Sequence, residues 1–145
     1  EISQKDGELR LMSASNLYRS LPVVGLPFTY IDFSNNPLSS IESLRGMKSL
    51  KYLNLKNTFV RDLTPLEGLE LDYLNISDSC AVELRDLEKT YVKILDISGL
   101  KVRYLLTLKD MRNIEKIIVN KENMMSFFDQ KAFNLLSSQN RIILN

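Results

Sequence analysis

The sequence predicts an α/β solenoid. In this fold a right-handed coil of chain places a parallel sheet on its concave face, short 3₁₀ or irregular segments on its convex face and a helical cap at its C-terminal end. A six-residue pattern of the form L-x-x-L-x-L occurs five times, its copies start 21 or 22 residues apart, and similar residues follow each copy at fixed intervals. The copies begin at Phe28, Leu50, Leu71, Val92 and Ile114.

Each copy of the pattern predicts one strand. Positions 4 and 6, counted from the first residue of each copy, are apolar, and alternate residues of a strand face opposite sides. In the copy that begins at Leu50, we therefore expect Leu53 and Leu55 to face the core and Tyr52 and Asn54 to face outward. The predicted strands, five or six in number, are centred near Ile31, Leu53, Leu74, Leu95, Ile117 and, for the sixth, Ile142.

The residues between the strands predict a turn and a short return segment. Position 9 carries small polar side chains that can hydrogen bond to the backbone of a turn. Pro65 can begin a short helical turn, glycine suits the bend that ends it, and so short a segment favours 3₁₀ geometry. The polar residues at position 9 are Asn36, Thr58 and Ser79, and the glycines at the bends are Gly25, Gly46 and Gly68.

The fourth repeat departs from this pattern at two places. Position 9 is Leu100, where the other repeats have polar residues, and position 20 of the preceding unit is Thr90, where others have Leu or Met. We therefore expect looser packing or an altered loop between Thr90 and Lys101.

The sequence indicates a single domain over residues 1–145. Residues 1–27 form a degenerate N-terminal repeat that retains Leu9 and Leu11, and residues 28–120 form the regular repeats. Residues 121–145 form a C-terminal cap, since apolar residues at near-helical spacing precede a final segment that fits the strand frame. A terminal unit of this kind covers the open end of a solenoid.

Composition excludes several classes of function. Lys and Arg number 19 and Asp and Glu 18, so no strong net charge attracts nucleic acid or anionic lipid. No apolar run approaches the roughly 20 residues of a membrane span. The chain has no His, which removes a common general base and metal ligand, and Cys80 has no second Cys to pair with. We expect no nucleic-acid partner, no membrane insertion, no metal and no cofactor.

The sequence shows no catalytic constellation, and we expect this chain not to be an enzyme. Asp32 and Asp96 share position 5 but lie three strands apart, about 14 Å, whereas glycosidase carboxylates are about 5–9.5 Å apart. Asn75 is the first residue of an Asn-x-Ser glycosylation sequon, and we expect it on the outward side of a strand. Because the chain starts at Glu1 and not at Met, we expect a processed protein or an excised domain.

The period and the pattern together resemble the leucine-rich repeat, over residues Leu9 to Asn145. The stretch NTFVRDLTPLEGLELDYLNIS, residues 57–77, is similar to the short repeats of internalin-type proteins and of repeat regions attached to bacterial serine/threonine kinases. This resemblance implies a non-catalytic module that binds a protein, a peptide or a glycan. Alternatively, it implies the sensor or regulatory segment of a larger bacterial serine/threonine kinase, extracytoplasmic if a receptor segment and otherwise cytoplasmic.

The candidate binding residues lie in columns on the outward side of the sheet. Position 3 holds tyrosine in three successive repeats, beside a polar row at position 5. Tyrosine is favoured at interfaces, but aromatic pairs across strands also stabilise a sheet by themselves, and the sequence favours neither interpretation. The candidate residues on the concave face are Tyr30, Asp32, Tyr52, Asn54, Lys56, Tyr73, Asn75 and Asp96.

Overall fold

A computed structural model describes residues 2–5, 7–11, 26–81, 83–100, 105–109, 111, 113–120 and 127–145. In this part of the chain, eight strands form one sheet in chain order, and one α-helix, α1 (Phe127–Ser138), precedes the last strand. The strands are β1 (Ile2–Lys5), β2 (Glu8–Leu11), β3 (Tyr30–Asp32), β4 (Tyr52–Asn54), β5 (Glu70–Asn75), β6 (Tyr91–Asp96), β7 (Ile114–Val119) and β8 (Ile142–Leu144).

Strands β2 to β8 are parallel, and their register matches like positions of the repeat. Tyr30 pairs with Tyr52 and Tyr52 with Tyr73, so position 3 lies opposite position 3 across these strands. The six predicted strands are confirmed, and the fold class is that of a repeat solenoid with a parallel sheet and a C-terminal helix.

The N-terminal end of the sheet is a hairpin that the repeat pattern does not predict. Strand β1 is antiparallel to β2, and Gly7 turns the chain between them with φ 75°. Strand β2 follows the repeat frame, because its Leu9 pairs with Ile31 and is buried. The extra strand β1 covers the edge that β2 would otherwise leave open.

The core consists of apolar rows that run through successive repeats. In the second and third repeats, the same seven positions are buried: 1, 4 and 6 of the strand and 11, 14, 17 and 20 of the return segment. The return segments are 3₁₀ turns, as predicted, and Gly46 and Gly68 have φ 75° and 73° at the bends that follow two of them. These turns span Glu42–Leu44, Thr64–Leu66, Leu84–Lys89 and Leu105–Lys109. The third predicted bend glycine, Gly25, lies outside the described residues.

The turn after each of the strands β3 to β6 uses one residue in the left-handed region, at position 8. Its backbone N–H donates to the position 7 carbonyl of the next repeat in the first three turns, at 2.8 to 3.1 Å. Asn and Asp tolerate this conformation better than other residues with side chains. The residues are Asn35, Asn57, Asp78 and Gly99, with φ between 53° and 75°.

Gly99 suits position 8 of the fourth repeat for a second reason. A Cβ atom at this position would lie 1.8 Å from Oδ1 of Asp78, the position 8 residue of the repeat before. Asn35 and Asn57 instead accommodate each other, since the Asn57 amide donates to Oδ1 of Asn35 at 3.1 Å. The carboxylate of Asp78 thus occupies the space that a side chain at position 99 would need.

The sequence predicts loose packing around Thr90, but the structure leaves no part of Thr90 exposed to solvent. Thr90 is fully buried, and its hydroxyl donates to the carbonyl of Leu66 at 3.1 Å. Leu100 is buried with the core, so the apolar residue at position 9 joins the apolar rows instead of bonding the turn. Residues 101–104, in the remainder of this region, lie outside the described part.

The C-terminal helix covers the last repeat. Ala132 and Leu136 of α1 are fully buried, and Phe133 packs partly against the core. The helix contacts the last 3₁₀ turn and β8. Across the described residues, no helix has the length and apolar character needed to span a membrane.

We predict that Gly99→Ala destabilises the fold more than Gly46→Ala does. Both glycines have φ 75°, but an added Cβ at Gly46 meets no atom within 4 Å. Gly46→Ala should cost about 1 kcal/mol for the backbone conformation, and Gly99→Ala at least about 2 kcal/mol because the methyl group meets Asp78. Urea unfolding measures both costs. Removing the carboxylate with Asp78→Ala should recover the excess, and equal costs for the two glycines would contradict this account of position 8.

We also predict that Thr90→Val costs about 1 kcal/mol of unfolding free energy, because the substitution keeps the shape but removes one of the two hydrogen bonds that the Leu66 carbonyl accepts, the other coming from the Leu69 N–H. Thr29→Val is the control: its hydroxyl also donates to a carbonyl, that of Gly7, but at an exposed site. The control should cost less than about 0.5 kcal/mol. Chemical denaturation gives the comparison, and a Thr90→Val protein as stable as wild type would show that the bond contributes nothing.

Candidate functional site on the open face of the sheet

The open face is the side of the sheet that points away from the core, the side predicted to be concave. Its main feature is a column of three tyrosines, Tyr30, Tyr52 and Tyr73, which we call the tyrosine ladder. The rings of Tyr30 and Tyr52 are 4.1 Å apart at an angle of 8°, and those of Tyr52 and Tyr73 are 4.9 Å apart at 13°. The close, nearly parallel rings follow from the in-register pairing of position 3 in adjacent strands.

Stacking leaves the ladder with a particular chemistry. Both faces of the Tyr52 ring are covered by its neighbours, so this middle ring presents its edge and hydroxyl group to solvent. Burial raises the pKa of Tyr52, and a hydrogen bond shared with Tyr30 raises it further. Burial, followed by the charge of Asp96, also raises the pKa of Tyr73. Both phenols are therefore neutral at physiological pH and can donate hydrogen bonds.

The polar row at position 5 supports the turns that follow the strands. In each repeat from β3 to β6, Oδ1 of the position 5 side chain accepts a hydrogen bond from the backbone N–H two residues later, at 2.9 to 3.1 Å. This local hydrogen bond gives a partner to a backbone N–H group at the point where the chain leaves the sheet. The side chains are Asp32, Asn54, Asn75 and Asp96.

Two members of this row are buried. Asn75 and Asp96 are each only 8% exposed, because the Tyr73 ring and the adjoining strands cover them. The Tyr73 hydroxyl donates to Oδ2 of Asp96 at 3.3 Å, and Nδ2 of Asn75 donates to the same hydroxyl oxygen at 3.4 Å. These two residues hold Tyr73 in place. Because Oδ1 of Asn75 also accepts bonds from the backbone N–H and the hydroxyl of Ser77, the sequon amide is not presented to solvent.

The structure brings the eight predicted residues to one face, with different degrees of access. Tyr30, Tyr52, Tyr73, Asp32 and Asn54 are half-buried on the open face, and Lys56 is exposed at its margin. Beyond Tyr73, the position 3 column continues with an apolar residue and then two cations, and the residues that complete it are Ile94, Lys116 and Arg141. The face therefore changes from aromatic to basic along the sheet.

A charged row at position 2 was missed by the sequence reasoning. It alternates in sign along four strands, and Lys93 lies 2.5 Å from Oδ1 of Asp72. Hydrogen bonding to Lys93 lowers the pKa of this aspartate. The alternation was visible in the aligned repeats, and it would have indicated cross-strand ion pairs beside the ladder. The row consists of Lys51, Asp72, Lys93 and Glu115.

With the repeat geometry established, comparison with known families gives one match. Residues 29–68 match the family model described as Leucine Rich repeats (2 copies). The fold is that of a leucine-rich repeat protein. The matched segment contains β3, β4 and their 3₁₀ turns, and strands β5 to β8 continue the same register beyond it. No curated protein matches the chain.

The leucine-rich repeat fold accounts for the recurring apolar residues as core and for Gly46 and Gly68 as bends. In the part of the chain that the structure describes, no group of three or more Cys, Asp or Glu residues is placed to hold a metal ion. The chemistry of the open face is thus hydrogen bonding by phenols and amides, ion pairing and apolar contact.

We predict that Tyr52 makes the protein lose stability at alkaline pH. Its pKa in the folded state is above the ordinary value of about 10. The unfolded chain therefore releases this proton first. The stabilising contribution is complete below pH ~10 and falls as the pH rises from there through the folded-state pKa. Denaturant unfolding at pH ~9, ~10 and ~11 should show a smaller loss for Tyr52→Phe than for wild type. The same loss in both proteins would contradict the assignment.

Proposed function

We propose that this chain is a non-catalytic interaction module that binds a protein partner on the open face of its leucine-rich repeat sheet, with the tyrosine ladder at the centre of contact. The observation that carries the proposal is the stack of three tyrosines on the outward side of adjacent strands. Aromatic residues in the middle of a rigid surface are typical anchors of protein interfaces.

The stacking favours a protein over a glycan or a nucleic acid. Sugar rings and bases bind aromatic residues through the open face of the ring. Tyr52 offers no open face, since Tyr30 and Tyr73 cover both sides. A protein surface can instead pack apolar side chains against the ring edges and place carbonyl or carboxylate oxygens near the hydroxyls. Residues 1–100, which carry the ladder, contain 11 Lys or Arg and 14 Asp or Glu, and this net negative charge also disfavours nucleic acid at the ladder.

The support beneath the ladder favours tight binding. Tyr73 is held by Asn75 and Asp96, and Tyr52 is held between two rings, so little side-chain freedom remains to be lost on association. Binding to side chains that are already ordered avoids an entropic cost of about 0.5–1.5 kcal/mol for each. In this proposal Asp32, Asn54 and Lys56 flank the contact and contribute polar interactions at its margin.

The alternative function, a sensor or regulatory segment of a larger bacterial serine/threonine kinase, depends on the resemblance of residues 57–77 to repeat regions of that class. In that case the chain would still bind through the same face, and a kinase domain would lie elsewhere in the parent protein. The complete reading frame tests this alternative directly: a kinase domain encoded beside these repeats would support it, and a frame without one would exclude it.

We predict that Tyr52→Ala weakens binding strongly and stability only slightly. Peptides selected from a phage-displayed library against the wild-type chain provide the ligands. Truncation of a central aromatic anchor typically costs about 2 kcal/mol, or about 30-fold in Kd. The unfolding free energy should fall by only about 1 kcal/mol, because the ring is not part of the core.

Phe59→Ala is the matched control, since Phe59 is an exposed aromatic residue outside the ladder, 55% accessible. It should leave the selected peptides bound as in wild type. Tyr52→Phe separates the two parts of the side chain, because it keeps the stack and removes the hydroxyl. Peptides that bind Tyr52→Ala as tightly as wild type would show that the ladder serves only to stabilise the sheet.

A further inference from the structure

A groove lies at the C-terminal end of the sheet, where the last strand is shorter than its neighbour. Strand β8 pairs with β7 only from Ile117 to Val119, and this leaves the first half of β7 without a strand partner on that side in the described part of the chain. The open space beside it has a volume of about 750 Å³, within the range of ligand sites. The groove is lined by Lys109, Ile114, Glu115, Lys116, Gln139, Asn140 and Arg141.

Arg141 forms one wall of the groove and is held rigidly. Its guanidinium donates to the side chain of Gln139 at 3.4 Å and to four backbone carbonyls at 2.6 to 3.2 Å. Burial lowers the pKa of this group, but an arginine stays protonated. Carbonyl dipoles orient the guanidinium without cancelling its net charge, so the wall remains positive. The carbonyls belong to Leu108, Lys109, Met111 and Ile114.

Two lysines add to this positive field, and one carboxylate opposes it. Lys116 donates to the backbone carbonyl of Asn140, which fixes its ammonium group at the margin of the groove. Lys109 lines the other side. Glu115 accepts a hydrogen bond from the hydroxyl of Tyr91, which engages one of its oxygens. Among the described residues, three cations and one carboxylate therefore line a single recess.

The whole sequence shows the same asymmetry. Residues 101–145 contain eight Lys or Arg and four Asp or Glu, a net charge of +4, whereas residues 1–100 contain 11 and 14, a net charge of −3. The overall charge of +1 hides this separation. An anionic ligand is therefore drawn toward the C-terminal end of the sheet and repelled from the rest of the chain.

We propose that this groove binds an acidic segment of a protein partner, in extended conformation, with aspartate or glutamate side chains facing Lys109, Lys116 and Arg141. This site is separate from the tyrosine ladder, and the inference does not depend on the function proposed for that face. Charge complementarity identifies the occupant, and the first half of β7 has no strand partner on this side in the described part of the chain.

The remaining lining residues favour a peptide over a phosphate group. A phosphate diester carries no hydrogen-bond donor on its phosphate group at neutral pH, so Glu115 would only repel that group. A peptide supplies backbone N–H groups that can donate to Glu115 and to the amide oxygens of Gln139 and Asn140, together with carboxylates that can accept from the two lysine ammonium groups. None of the described lining residues has an aromatic ring on which a nucleic-acid base could stack.

The test uses the complete chain and a fluorescently labelled, capped hexaglutamate peptide, with binding measured by anisotropy at low salt. Hexaglutamate should bind, capped hexaglutamine should not, and added salt should weaken the complex. Lys116→Glu should weaken binding about tenfold or more, because one attraction becomes a repulsion. Lys48→Glu is the matched control: it makes the same change of charge at an exposed lysine that donates to the carbonyl of Gly68, outside the groove.

Circular dichroism of each variant verifies that it is folded before binding is measured. If Lys116→Glu and Lys48→Glu weaken hexaglutamate binding equally, the proposed site is wrong, because binding would then depend only on the net charge of the chain. Binding of hexaglutamine as tight as that of hexaglutamate would also overturn it. Displacement of the peptide by inorganic phosphate at equal concentration would overturn the assignment to a peptide. Tyr52→Ala should leave the complex unchanged, and a loss of binding there would place the peptide on the ladder instead.

Discussion

Parallel pairing of each strand with the strand one repeat away is the interaction on which the rest of this structure depends. Because like positions pair, every row of the repeat becomes a continuous column through the molecule. The apolar columns form the core. The side chains at position 5 accept hydrogen bonds from the turns, the residues at position 8 adopt the left-handed conformation that the turns need, and three of the residues at position 3 are tyrosines. A shift of one residue in any strand would send its core leucines to solvent and its outward polar residues inward, so the hydrophobic effect holds the register.

The strands could be predicted from the sequence because positions 1, 4 and 6 are apolar in all five copies, and the return segments because polar, proline and glycine residues recur between the copies. The hairpin of β1 could not, since Ile2–Lys5 lies outside the repeat frame and its pairing depends on the exposed edge of β2. The left-handed residues at position 8 were also missed, although their types, two Asn, one Asp and one Gly, are those that tolerate positive φ. An explicit search for such residues at one fixed position would have found them.

The candidate site was predictable in its placement but not in its contacts. The frame places all eight residues on one face, because outward positions follow directly from strand alternation. It does not indicate that Asn75 and Asp96 are covered, since their burial depends on the Tyr73 ring in the column beside them. Nor does it indicate the groove at Arg141, because that recess exists only where the last strand is shorter than the one before it. Regular positions are predictable from one repeat, whereas ends and side-chain networks depend on neighbouring repeats.

The contacts at position 8 also determine which repeats could be duplicated. Asn57 bonds the like residue of the repeat before it, so a second copy of the unit that begins at Leu50 would place Asn beside Asn and extend the tyrosine stack by one ring. A second copy of the unit that begins at Leu71 would instead bring two Asp78 carboxylates together, where the second Asp78 would fill the space that Gly99 leaves open. The array could therefore lengthen more readily by copying its second repeat than its third, and copying the second repeat would enlarge the aromatic surface and leave the basic end unchanged.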